Sequence, residues 1–171
     1  MKISNIALIG FMGVGKSMVG SRLAQLLKKR VISTDNLIEK RERRSIAEIF
    51  RDSGEPYFRK LEKAVVQEIS QEEDVIIDCG GGVPLDAGNM ERLKRNFTVV
   101  YLRASAEFIF ENLKRTKKRP LLDVPDPQAK IKELLEKREP FYREADIVLD
   151  TNNKSIEQIS EDILKILNRP E

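Results

Sequence analysis

With 171 residues, 31 Lys and Arg against 28 Asp and Glu, and a formal charge of +3, this chain has the size of one domain and a near balance of charge, which gives no support to nucleic-acid binding. Cys79 is the only cysteine, so an internal disulfide and a cysteine metal cluster are excluded; there is no histidine, so proton transfer falls to a carboxylate, a lysine, a tyrosine, the thiol or water. Strand-forming sequence starts within the first few residues and no long uncharged apolar run offers a signal peptide or membrane span, so a soluble protein in a reducing cytoplasm is expected.

The first predicted strand covers 6–9 and runs straight into Gly-Phe-Met-Gly-Val-Gly-Lys-Ser at 10–17, a complete G-x-x-x-x-G-K-[ST] phosphate-binding loop followed by helical sequence from Lys16. Its glycines let backbone N–H groups turn inward around a polyphosphate, and the helix N-terminus adds partial positive charge at the same place. Gly13, Val14, Gly15, Lys16, Ser17 and Met18 are the candidate ATP contacts, with Lys16 reaching the β and γ phosphates. Ser17 supplies a hydroxyl directly to Mg²⁺, a hard cation that takes oxygen ligands. A second strand is expected over 30–33. Ser45-x-x-Glu48 is a capping box opening a short helix, and Pro56 suits the first turn of the next, whose Leu61, Val65 and Ile69 share a face. Strands over 75–78, 98–102 and 147–149 follow, and Ser155-x-x-Gln158 caps a last helix with Ile159, Ile163 and Ile166 inward. Strands alternating with helices imply an α/β fold: three layers, with a central parallel sheet of about five strands and helices on both faces. Between 116 and 127 the pattern fails, in Lys117-Lys118-Arg119-Pro120 and then Asp123, Pro125, Asp126 and Pro127. Such a polar stretch is either a solvated connection or a mobile lid that brings arginine over phosphates and excludes water.

Ligands of open parallel sheets bind beyond the carboxyl ends of the strands. Here those ends carry the phosphate loop, then Ser33-Thr34-Asp35, then Gly80-Gly81-Gly82, then a helix leading to the candidate lid. Three successive glycines let a ligand approach the backbone and leave N–H groups available to it.

In these residues the chain resembles the shikimate kinases, small P-loop kinases related in fold to nucleoside monophosphate kinases. The resemblance covers almost the whole chain and rests on GFMGVGKS, Thr34-Asp35-x-x-Ile38, Arg44-Ser45-Ile46-Ala47-Glu48-Ile49-Phe50, Gly54-Glu55-x-x-Phe58-Arg59-x-x-Glu62, Gly80-Gly81-Gly82, Arg119-Pro120-Leu121-Leu122 and Arg138-x-Pro140-x-Tyr142. It implies one shikimate-kinase-like domain over 1–171 with its lid near 116–127, using Mg²⁺ and ATP to phosphorylate the 3-hydroxyl of shikimate in aromatic amino-acid biosynthesis. No nucleic-acid or membrane partner is implied, and a monomer is expected. Arg59 and Arg138 match the positions that bind the substrate carboxylate, a task suited to guanidinium forks. Asp35 matches the residue that binds ring hydroxyls and orients or deprotonates the attacking one. Gly81, with Gly80 and Gly82, matches the backbone contact to substrate. Arg119 resembles the lid arginine that reaches phosphate, and Arg115 the arginine that packs on adenine. Glu62 either orients Arg59 or is a surface carboxylate on its helix.

Two departures from the family stand at the nucleotide end. Ser33 occupies the first carboxylate position of the usual Asp-x-Asp, which supports the water shell of Mg²⁺, and Met18 stands where a second hydroxyl often follows the loop serine. A second oddity accompanies them, because Asp78 precedes Cys79 where the family more often has a small hydroxyl residue. Asp78 either replaces the missing carboxylate, holding Mg²⁺ through water, or caps the turn. Rival readings are a gluconate kinase or another small-molecule kinase on this scaffold, a nucleotide-binding pseudo-kinase, and a GTPase-like switch. The last is suggested by Asp78-Cys79-Gly80-Gly81 and Asn153-Lys154, but Ile156 cannot accept the guanine N–H donors, so both matches are accidental.

Overall fold

Strand β1 (Ile6–Ile9) is buried at all four positions, as are the residues of β3 (Val75–Asp78) and the middle of β4 (Thr98–Arg103). Continuous apolar sequence of this kind suits strands covered on both faces. In the computed structural model, which describes residues 5–116 and 120–168, these three lie at the centre of a five-stranded sheet. The half-exposed β2 (Arg30–Ser33) and β5 (Ile147–Asp150) form its edges. The order is β2-β3-β1-β4-β5 and every pairing is parallel, as the strand and helix alternation predicts. Both β4 and β5 run one residue further than expected, to Arg103 and Asp150.

Parallel connections are right-handed, so the strand order assigns the helices to faces. From β1 the chain moves outward past β3 to β2 through α1 (Lys16–Leu27). It then moves the other way, through α2 (Thr34–Glu42) and α3 (Ile46–Ile69) to β3, through α4 (Ala87–Asn96) to β4, and through α5 (Ala106–Leu113) and α6 (Pro127–Tyr142) to β5. The reversal puts α1 on one face and α3 to α6 on the other, while α7 (Ile156–Leu167) returns to lie beside α1. The observed packing of α1 on α7, α3 on α4 and α5 on α6 agrees. The reversal also opens the crevice outside the carboxyl end of β1, where ligands bind in such sheets.

Both capping boxes form: Ser45 and Glu48 exchange bonds at the start of α3, and Ser155 and Gln158 at the start of α7. The two helices expected around Pro56 are segments of one element, broken at Gly54, whose φ of 81° and ψ of 167° are left to glycine. The described part of the polar stretch expected from 116 to 127 carries regular structure at both ends. Residues Pro120–Leu122 make a 3-10 turn, and Asp126 caps α6 by accepting from the N–H of Ala129 at 3.0 Å, with Pro127 in the first turn. Proline there needs no hydrogen-bond partner, so a residue that looks like a loop marker starts a helix.

Candidate active site

The loop after β1 wraps as its glycines require. Gly13 (φ 80°) and Gly15 (φ 99°) are in the left-handed region, and Gly15 ends the loop as the N-cap of α1 with no side chain bonded to the free N–H groups of the helix. Lys16 is buried and folds back over this loop, its Nζ donating to the carbonyls of Gly10 at 2.9 Å and Phe11 at 3.0 Å. Ser17 donates its hydroxyl to Asp78 Oδ2 at 2.6 Å. These groups open on a cavity of about 430 Å³ lined also by Gly13, Gly15, Met18, Ser33, Asp35 and the β3 loop. Val14 does not line it; its side chain is core, and its N–H makes a 3.4 Å bond to Phe11 inside the turn. Met18 lies at the rim with 64 % of its surface exposed. The hydroxyl of Ser17 beside the carboxylate of Asp78 is a hard oxygen pair suited to Mg²⁺. Among the described residues no group of three acidic or thiol side chains that could hold a metal ion is found.

A second, smaller cavity adjoins the first and shares Met12, Asp35, Ile46 and Gly81 with it. Its other walls include Phe50, Phe58, Arg59, Glu62, Gly82, Leu121 and Arg138. Asp35, in the first turn of α2, therefore stands between the phosphate chamber and a chamber with two arginines. Arg138 is buried, with its guanidinium 5.6 Å from the centre of the Phe11 ring and Nη1 3.5 Å from the Gly81 carbonyl. Arg59 donates Nη1 to Glu62 Oε2 at 2.6 Å and Nη2 to Glu55 at 3.0 Å. Burial opposes its charge, but Glu62 and Glu55 outweigh that and hold the guanidinium charged. Glu62 is 2 % exposed, which rules out the surface-carboxylate alternative and leaves it bonded to Arg59.

The triple glycine makes room for charged side chains. A β-carbon on Gly80 would stand 2.6 Å from Asp35 Oδ1 and 2.9 Å from Glu62 Oε1. One on Gly82 would run into Arg59 Nη1, whereas one on Gly81 would meet Arg138 Nη1 at an ordinary contact distance of 3.5 Å. None of the three has a positive φ, so at Gly80 and Gly82 space and not backbone freedom calls for glycine. The expectation that all their N–H groups are available needs correction: Gly80 donates to Thr34 Oγ1 at 2.8 Å, which ties the β3 loop to the start of α2. The Gly81 carbonyl accepts from Tyr142 at 2.7 Å, fixing the peptide between Gly81 and Gly82.

The structure thus brings together Lys16, Ser17, Asp35, Arg59, Asp78, the glycines 80–82 and Arg138. Arg115 follows α5 and lines neither cavity, although its neighbour Asn112 donates to the Gly13 carbonyl at 2.9 Å and anchors this segment to the phosphate loop. Arg119, with Lys117 and Lys118, lies outside the described residues. Cys79 is buried and burial pushes its thiol up, which removes it from proton transfer. Lys154 of the accidental GTPase match is paired with Asp162 at 2.8 Å. Asn112 had no signal of its own in sequence, whereas Thr34 stood in the Thr34-Asp35-x-x-Ile38 motif with no role assigned to it. Tyr142 had one, four residues after Arg138 and so on the same helical face.

A sequence model of the shikimate kinase family matches residues 12–168. The shikimate kinase of Caldanaerobacter subterraneus subsp. tengcongensis is 47 % identical over 163 residues, 95 % of each chain. The solved shikimate kinase of Acinetobacter baumannii in complex with shikimate matches at a TM-score of 0.93 and 37 % identity, over 96 % of this chain and 93 % of its own. A gluconokinase from Sinorhizobium meliloti 1021 has a TM-score of 0.57 at 16 % identity over 96 % and 97 % of the two chains, a likeness of fold alone. With a phosphate loop, a β3 glycine run and two converging arginines already in place, likeness of this extent settles descent: the chain belongs to the shikimate kinase family.

Proposed function

We propose that this protein transfers the γ-phosphoryl group of ATP to the 3-hydroxyl of shikimate, giving shikimate 3-phosphate and ADP for aromatic amino-acid biosynthesis, and that it does so as a monomeric, single-domain cytoplasmic enzyme. The observation that carries this reading is the position of Asp35, with the phosphate loop on one side and the Arg59 and Arg138 pair on the other. A substrate fitting both chambers has a carboxylate at one end and hydroxyls toward the nucleotide, which describes shikimate.

In the reaction Arg59 and Arg138 grip the carboxylate and turn the ring so that one hydroxyl meets Asp35. The backbone of Gly81 and its neighbours supports the substrate from below. Asp35 accepts the hydroxyl proton as the new O–P bond forms and the bond from the γ phosphorus to the bridging oxygen breaks, its electron pair leaving on ADP. Lys16 exchanges the Gly10 and Phe11 carbonyls for phosphate oxygens, and the N–H groups of Gly13 and of Gly15 to Met18 cradle the same charge. Ser17 would hold the Mg²⁺ that accompanies ATP, with Asp78 as an outer-shell acceptor, and the ion would supply charge neutralisation there. Closure of the segment near 116–127 brings Arg119 to the transferring phosphate and excludes water, while Arg115 lies on the adenine.

A coupled ADP-release assay with shikimate, gluconate and AMP tests the assignment. Rapid ADP release with shikimate alone is expected, and turnover with gluconate or AMP equal to that with shikimate would sink it. Asp35→Asn keeps the shape and removes the basicity, so turnover falls steeply while ATP binding persists.

A further inference from the structure

Glu62 does more at this site than orient Arg59. Its Oε2 is fully used by Arg59, but Oε1 is buried and, among the described residues, has no hydrogen-bond partner. That oxygen reaches Gly80 from α3, and Asp35 Oδ1 reaches it from α2: a β-carbon on Gly80 would touch both, at 2.9 and 2.6 Å. Two carboxylate oxygens converge on a glycine that has no side chain to separate them. A carboxylate oxygen can only accept, so an ionised Glu62 leaves Oε1 unsatisfied in a dry place facing a second negative group. A proton on Oε1 removes both faults, because it supplies a donor and takes away the second negative charge beside Asp35.

We propose that Asp35 and Glu62 are a proton-sharing pair, in which Glu62 Oε1 holds the proton and donates it to Asp35 Oδ1. The described charges around the pair are Arg59 and Glu55 from α3, Arg138 beside Tyr142 from α6, Asp78 at the end of β3 and Lys16 from α1. Cys79 faces it as a neutral thiol. Burial is the strongest influence on Glu62 and pushes its carboxyl above the usual glutamate value. Asp35 pushes the same way, and Arg59 and Arg138 oppose without winning. The shared proton leaves the other oxygen of Asp35 to meet the substrate hydroxyl. It also keeps one negative charge out of a chamber that must receive an anionic substrate.

The pair deepens the proposed substrate site, and rests on it only for its part in turnover. Its test reads the free protein, so its failure and that of the shikimate assignment are separable. With ¹³C-labelled Asp and Glu carboxyls, the Glu62 signal is identified by its loss in Glu62→Gln. It should titrate above the ordinary 4.5, and Asp35→Asn should bring it down by about one pH unit or more, the coupling that defines a shared titration. In the parent protein Asp35 should titrate in two steps, and in one step in Glu62→Gln, a reading that stands even if Asp35→Asn folds poorly. A carboxylate that merely orients Arg59 would be raised by burial alone and would ignore Asp35→Asn. A Glu62 signal unmoved by Asp35→Asn, or a single-step Asp35 in the parent, overturns the pair.

Discussion

Replacing Asp78 by Asn tests how this chain holds Mg²⁺ with Ser33 in the family's carboxylate position. Ser33 and Asp78 are direct partners in the β2–β3 ladder, so Asp78 offers a carboxylate one strand, about 4.8 Å, along the same rung. It remains 2.6 Å from the Ser17 hydroxyl and is buried to 7 % exposure. An outer-shell acceptor of this kind is worth about 10- to 100-fold in metal affinity, or about 1.4 kcal/mol for each tenfold. Asp78→Asn should therefore raise the Mg²⁺ concentration for half-saturation of the ADP-bound protein by about that factor, followed by calorimetry or Mn²⁺ relaxation. Adding Ser33→Asp should bring it back to within about threefold of the parent. The serine N-caps α2 by accepting from Asn36 N–H, a task aspartate does equally well, so the helix is kept. The reasoning has an opposite that the same titration reveals. If Asp78 serves only to hold Ser17 in the empty enzyme, removing it frees the hydroxyl and Mg²⁺ binds more tightly. Tighter or unchanged binding in Asp78→Asn refutes the outer-shell role and returns Asp78 to a turn residue.

Arg59→Ala and Arg138→Ala should each weaken shikimate binding by about 10- to 100-fold, the loss of a charge-assisted hydrogen-bonded grip, with ATP binding nearly unchanged; the reverse pattern by calorimetry would assign them to the nucleotide. Gly82→Ala places a methyl against the mobile end of Arg59 while the backbone φ is ordinary. It should raise the KM for shikimate with a change in stability under about 1 kcal/mol, and an unchanged KM would show that Arg59 does not work from its observed position. Hydrogen exchange over 116–127 should be fast in the free protein and slow with an ATP analogue and shikimate together. Equal rates in both states would leave that segment a plain connection.

Much of this protein is legible from local sequence because its local rules agree with the fold. The apolar runs at β1, β3 and β4 allow only a sheet covered on both faces, the loop at 10–17 specifies its own turn, and Ser45 and Ser155 cap their helices with residues three positions away. Pro127 was ambiguous at that range, since proline suits a loop and a first helical turn alike. Site residues carried by motifs, such as Lys16 and Arg138, were also within reach. What no local pattern contains is the meeting of distant segments over one glycine run. Asp35, Glu62, Arg59 and Arg138 come from three helices, and only the reversal of strand order beside β1 brings them to the β3 loop. The burial of Glu62, the Ser17–Asp78 bond across 61 residues, and the Gly80 N–H spent on Thr34 are decided at that level. Hydrophobic periodicity and capping act over a few residues, whereas desolvation and charge convergence depend on which surfaces the crossovers press together.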